Sequence, residues 1–176
     1  MNKPDNPLPN AQSAGPALSG GAFTGRETFR QHVRNALMAA QAQGWREMVW
    51  CDTSFHDWPL GERACVEALQ QWVRTGARRL VLLALGYDDV VREHALFVEW
   101  RRQWSHKIEC YACASAAPQD FPSVLWTPVW AMQRFDDVLH NGISGPEPDR
   151  RHMLREQLAQ WQNKSTPGFP ATTLGL

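Results

Sequence analysis

From Arg26 to Gln43 apolar residues recur at helical spacing: Phe29, Val33, Ala36, Leu37 and Ala40 share one face, and Gly44 supplies a stop. This pattern predicts a first helix. "REMVWCD" (46–52) then reads as a short strand. A second helix is expected from near Pro59, turning Cys65, Val66, Leu69, Trp72 and Val73 inward and ending at Gly76. "RRLVLLALG" (78–86) is a continuous aliphatic run between charge and glycine, the pattern of a central strand covered on both faces. Residues 88–104 read as one helix, acidic early at Asp88, Asp89 and Glu93 and basic late at Arg101 and Arg102, which complements the macrodipole. Its apolar stripe is Val90, Val91, Phe97, Val98 and Trp104. "KIECYACAS" (107–115) and "SVLWTPVWAMQRF" (123–135) read as further strands, with Pro128 confining the second to a sheet edge or a bulge. A last helix covers about 149–163, with Met153, Leu154, Leu158 and Trp161 inward.

Helices and strands alternating with short connections predict a single α/β sandwich, a mostly parallel sheet flanked by helices and joined by right-handed crossovers. That domain is expected over 23–163. Residues 1–22, rich in Pro, Asn, Ser and Gly, have too few large apolar groups to offset the entropy of ordering and read as a disordered tail. Residues 164–176 read as an extended strip, because Pro167 and Pro170 forbid a helix; its Phe169, Leu174 and Leu176 need a dry surface to dock on. Ligands of such sheets bind beyond the carboxyl ends of the strands, here 52–57, 86–89 and 114–117.

Charge changes this picture only by exclusion. Among 176 residues Lys plus Arg and Asp plus Glu are both 18, so no net field favours nucleic acid or an anionic membrane, and neither partner is expected. No apolar run is long enough to span a bilayer and no leader pattern is visible, so a soluble cytoplasmic protein is expected. The four cysteines sit in apolar stretches, as reduced buried thiols do. "CYAC" (110–113) has zinc or redox spacing, but a strand would point the two thiols to opposite faces. No metal and no cofactor is expected.

The candidate chemistry lies at the strand ends. "WCDTSFHDWPLGE" (50–62) places Asp52, His56 and Asp57 together. They suit a metal or acid–base chemistry, or else Asp57 caps or precedes the following helix, Ser54 and Thr53 bond the turn backbone, and His56 is solvated. "GYDDVVREH" (86–94) adds Tyr87, Asp88 and His94, with Arg101 further along the stripe; the other reading makes Asp88 an N-cap and His94 a packed histidine. Of nine tryptophans, Trp58, Trp126 and Trp130 fall at loop or edge positions, and Trp126, Trp130, Phe169 and Leu174 are the candidate interaction residues.

The succession "FRQHVRNALMAAQAQGWREMVWCDTSF", "ACVEALQQWVRTGARRLVLLAL" and "WRRQWSHKIECYA" resembles, in layout, one half of a phospholipase-D-like domain, and small bacterial domains that look like degenerate relatives of it. The resemblance covers about residues 26–137. That family's His-x-Lys-x4-Asp signature is missing: Trp126 and Pro128 stand in its place, and the adjacent His106 and Lys107 precede the wrong strand. No catalytic residue is carried over. The resemblance implies a non-catalytic interaction or regulatory module, completed as a homodimer because such halves pair across a two-fold axis. Two alternatives stand beside it: a hydrolase or phosphodiesterase using Asp52, His56, Asp88 and His94, and a small-ligand sensor with a pocket at His94 and Arg101.

Overall fold

The computed structural model describes residues 15–171. In chain order its elements are β1 (Gly21–Phe23), α1 (Arg26–Gln43), β2 (Glu47–Cys51), α2 (Arg63–Arg74), β3 (Arg79–Ala84), α3 (Asp88–Glu93) and α4 (Ala95–Gln103). There follow β4 (Ile108–Ala112), a 3-10 turn at Pro118–Asp120, β5 (Ser123–Trp126), β6 (Ala131–Arg134), β7 (Gly142–Gly145), α5 (Pro148–Lys164) and β8 (Thr166–Pro167). The strands form one open eight-stranded sheet in the order β1-β7-β6-β5-β2-β3-β4-β8.

The sheet is mixed, not mostly parallel. Only β2, β3 and β4 run parallel, the connections between them passing through helices; every other pairing is antiparallel. The expected strand over 123–135 folds instead into the β5–β6 hairpin, with Pro128 in its turn, where the missing N–H is harmless. Thr127 closes that turn: its N–H donates to Trp130 O at 2.9 Å and its hydroxyl accepts the Trp130 N–H at 2.9 Å. So short a connection forces antiparallel neighbours, whereas a parallel pair needs a crossover.

Alternation along β2 and β3 divides the core. Met48, Trp50, Leu80 and Leu82 face the layer of α1, α2 and α4, packing with Phe29, Leu37, Leu69, Trp72 and Phe97. Val49, Cys51, Val81 and Leu83 face α5 through Leu154 and Leu158. Met153, expected inward, is 55% exposed, because it lies about 100° around the helix from the 154/158/161 stripe. The expected helix over 88–104 is broken at His94 (φ −119°, ψ 49°) into α3 and α4. Val91, expected on the apolar stripe, is exposed. Cys110 and Cys113 fall on opposite faces of the sheet, and all four thiols are buried and free.

Part of each expected terminal segment, Gly21–Phe23 and Thr166–Pro167, joins the sheet. Ser19 O accepts from Trp130 Nε1 and from Ser144 Oγ, each at 2.9 Å, and Gly21–Phe23 pairs with β7, so the unstructured tail expected over 1–22 does not extend through residues 19–22. Composition missed this because three residues of β1 are held by partners more than a hundred positions away. Residues 1–14 lie outside the described residues. In the strip, Thr166–Pro167 pairs with Tyr111 and Ala112, and Phe169 stacks on Tyr87; Leu174 lies outside the described residues. No helix among the described residues is long and apolar enough to cross a membrane.

Helices α1 and α2 are joined by charge. Arg34 Nε and Arg30 Nη2 donate to Glu62 at 2.7 and 2.6 Å, and these bonds, Arg34's foremost, hold the Glu62 carboxyl down at about 2 against its ordinary 4.5 despite partial burial. A depressed carboxylate contributes stability that is complete above the unfolded value and is lost as pH falls through the folded one. The urea midpoint should therefore fall as pH drops from 4.5 to about 2. Glu62→Gln should flatten that acid limb, and a limb unchanged by the substitution would assign the acid sensitivity elsewhere.

Candidate functional site

Three chain segments converge beyond the carboxyl end of β2. Asp52, the residue after that strand, is buried. Its Oδ1 accepts the N–H groups of Ser54 and Phe55 at 3.2 and 3.0 Å, folding the turn back on itself. Its Oδ2 accepts from Ser123 Oγ at 2.6 Å and from Arg134 Nη2 at 2.9 Å. Arg134, at the end of β6, points inward because it shares a face with buried Met132. Its guanidinium carbon lies 4.5 Å from the centre of the Phe29 ring. Its Nε donates to Ser123 Oγ at 3.2 Å, and its Nη1 donates to Asp57 Oδ2 at 2.8 Å and to His140 Nδ1 at 3.0 Å. An arginine can only donate, so His140 Nδ1 accepts and, in the neutral ring, Nε2 carries the proton.

Asp57 is the second carboxylate of this centre. Arg26 Nε donates to its Oδ1 at 2.7 Å. Burial pushes its carboxyl up, but the bonds from Arg26 and Arg134 outweigh burial and leave it below the ordinary carboxylate value. Of the two expected roles, capping α2 or preceding it, Asp57 takes the second: Glu62 stands at the cap position, with no side-chain cap. The centre therefore clamps β2, β5, β6 and α1 together, with every carboxylate oxygen already hydrogen-bonded.

One product of the clamp is the shape of the 135–141 loop. Arg134 and His140 hold its two ends, His140 in a left-handed conformation (φ 52°). Asp136 ties its middle by accepting the N–H groups of Val138, Leu139 and Asn141 at 3.2, 2.6 and 3.2 Å. The loop so tied turns Phe135, Val138 and Leu139 outward, Val138 81% exposed. Two open clefts flank it, of about 550 Å³ along Thr53, Phe121, Ser123 and Asp136 and about 330 Å³ along Asp52, His56, Asp57 and Asp89.

The other predicted residues are dispersed. His56 is exposed, its Nδ1 2.7 Å from Glu93 Oε2. His94 is packed in the core, its Nε2 3.0 Å from Phe55 O; burial holds it below the ordinary imidazole value, so the neutral ring donates to that carbonyl. Asp88 is exposed in the first turn of α3 and makes no side-chain cap. Asp52, His56, Asp88 and His94 thus do not surround one point. Tyr87 and Arg101 do meet, across Phe169 at the end of β3 and β4, but His94 is not with them. Among the tryptophans, Trp58 and Trp130 are fully buried, and Trp126 gives its indole N–H to Arg151 O at 2.8 Å while Arg155 covers its ring. Trp130 therefore offers no free aromatic face, and Arg155 lies over one face of Trp126. The groups missed from sequence were Arg134, His140 and the exposed trio of the loop; the available signal was a charged residue at an inward position of "AMQR", followed by "FDDVLHN".

Among the described residues no group of three or more His, Cys, Asp or Glu side chains is placed to hold a metal. No family profile matches the chain, and no curated protein matches it. Among solved structures the chain is similar to TrmBL2, an archaeal chromatin protein whose structure shows a novel mode of DNA binding. The match has a TM-score of 0.60 at 11% identity and covers 85% of this chain but 54% of TrmBL2, so the chain spans about half of that protein. At this identity the likeness is one of fold. It corrects the resemblance to a phospholipase-D-like half-domain, since the neighbour found is a chromatin protein, and it leaves the expected homodimer and bacterial kinship, both drawn from that resemblance, without support. The exclusion of nucleic acid is also withdrawn: balanced overall charge says nothing of local patches, and the fold occurs in a protein that binds DNA.

Proposed function

We propose that the chain is a non-catalytic interaction or regulatory module that works in the company of nucleic acid. The carrying observation is the clamp around Arg134. Its carboxylate oxygens are all hydrogen-bonded, and the bonds from Arg26 and Arg134 leave Asp57 below the ordinary carboxylate value, which suits the centre to shaping the 135–141 loop rather than to protonating a substrate from Asp57. The product of that shaping is a fixed apolar trio, Phe135, Val138 and Leu139, of the kind that anchors a protein contact. The buried free thiols fit a reducing, cytoplasmic setting.

The nucleic-acid part rests on the fold likeness and on where the cations lie. Exposed Arg46 and Arg74, with half-buried Arg78 and Lys107, gather at the amino-terminal edge of β2, β3 and β4, on the far side of the sheet from the acidic loop. A labelled duplex DNA should bind, and binding should weaken steeply between about 50 and about 200 mM salt, as phosphate contacts require. Arg46→Glu with Arg74→Glu should abolish it. Undiminished binding by that variant would remove this edge from the reading. Turnover of a phosphodiester or carboxyl ester that is lost in Asp57→Asn would overturn the non-catalytic assignment itself.

A further inference from the structure

The two inward arginines of this protein are treated very differently. Arg134 faces two carboxylates, whereas Arg101, on α4 and only 5% exposed, faces none among the described residues. Arg101 Nε donates to Cys110 Sγ at 3.2 Å, and its guanidinium carbon lies 4.5 Å from the centre of the Phe169 ring. Among the described residues its Nη1 has no hydrogen-bond partner. Burial raises the Cys110 thiol above its ordinary value, so it stays protonated and supplies no counter-charge. A buried cation left in this state is costly unless something brings it an anion.

The surroundings are those of a binding cleft. Arg101 lines a space of about 380 Å³ together with Tyr87, Val91, Val98, Phe169 and Pro170. The cleft sits beyond the carboxyl ends of parallel strands β3 and β4, where ligands of open α/β sheets bind. Its outer wall is the C-terminal strip, fixed by Gly168 N–H donating to Cys110 O at 2.9 Å and by Phe169 stacking on Tyr87 at 4.9 Å and 12°. Phe169 holds a left-handed backbone (φ 49°), which a side chain of that size adopts only when its surroundings impose it.

We propose that this cleft binds a small organic monocarboxylate with an aromatic or branched apolar body. The carboxylate would take the unpartnered Nη1 of Arg101, which is buried and is reached once the Phe169 strip shifts off the guanidinium, and the body would lie along Val91 and Val98 against Phe169. One buried guanidinium in a mainly apolar cleft, whose other charged lining residues, Asp88 and Arg102, offset each other, matches a single negative charge better than a phosphate dianion. The site deepens the regulatory reading by naming a class of effector, yet its measurement needs neither DNA nor a protein partner, so the two readings stand or fall separately.

The test titrates the full chain with benzoate, phenylacetate and indole-3-acetate, each beside its neutral primary amide, and follows heat and amide chemical shifts. At least one acid should bind with a Kd of about 1 mM or tighter, and its amide about tenfold or more weaker. Arg101→Met should lose the preference for the acid while melting at or above the wild-type temperature, since the unpaired charge is gone. Phe169→Ala should weaken the acid without removing that preference. Equal binding of acid and amide, unchanged binding by Arg101→Met, or no binding by any acid at about 10 mM would overturn the proposal. So would acid binding seen only after truncation beyond Ala171, which would assign the cleft to the chain's own last residues.

Discussion

Arg134→Met should lower stability by about 3–5 kcal/mol, the range for breaking one side of a buried ion pair. The side chains of Arg134 and Asp52 are 5% and 2% exposed, and without the guanidinium Asp52 Oδ2 keeps only the Ser123 hydroxyl as donor. Asp57 would retain Arg26 and lose its inner partner. In a domain of this size the loss corresponds to a drop in melting temperature on the order of 10 °C. The diagnostic arm is the double variant Asp52→Asn with Arg134→Met, which removes both charges and should recover a large part of the loss, because an unpaired buried charge costs more than an absent pair. Circular dichroism melts of the two variants beside the wild type decide the matter. If Arg134→Met costs less than about 1 kcal/mol, as exposed pairs do, the centre is not the clamp described above.

Trp130→Ala should cost a comparable amount, about 3–5 kcal/mol, through the cavity it opens. The ring is 1% exposed, lies near His32 and gives its indole N–H to Ser19 O. Its backbone also closes the Thr127 turn, which the substitution leaves alone. Trp130→Phe separates the two contributions: it keeps most of the apolar contact and loses the hydrogen bond, for about 1 kcal/mol in addition to the missing ring volume. Amide exchange should rise in residues 19–23 in both variants, since Ser19 is one of the points fastening that segment. Exchange confined to the β5–β6 hairpin would show that Ser144 Oγ alone secures Ser19.

The elements that long periodic or continuous apolar runs specify were legible in the chain. Helix α1 spans the residues its spacing predicts, and "RRLVLLALG" forms a strand buried on both faces. What periodicity could not show is which neighbours a strand takes. Strands β1, β7 and β8 are too short for alternation to register, and β7 reads "GISG", without a strand signature of its own. Their pairing comes from contacts made across most of the chain. The break at His94 is hidden for a related reason: the sequence admits a packed histidine there, but the carbonyl it meets belongs to Phe55, 39 positions earlier. At the polar centre the carboxylates were visible as a cluster because they are adjacent in sequence. Arg134 was not, since it meets Asp52 across 82 positions, and without it the aspartates read as chemistry or caps where they serve as its counter-charges.

Among the described residues the first and last strands, β1 and β8, form the two outer edges of the sheet. A segment arriving at Gly21 and one departing from Pro167 therefore sit on opposite flanks, separated by the width of eight strands, about 33 Å at the usual spacing. Anything joined to the two ends would be held apart by a rigid span rather than gathered at one point, as occurs when termini emerge side by side. Tension between the two ends would reach the outermost pairings first, three residue pairs at β1–β7 and two at β4–β8. The weaker attachment is the strip carrying Phe169, so a pull strong enough to peel it would uncover Arg101 while the parallel centre of the sheet stayed intact.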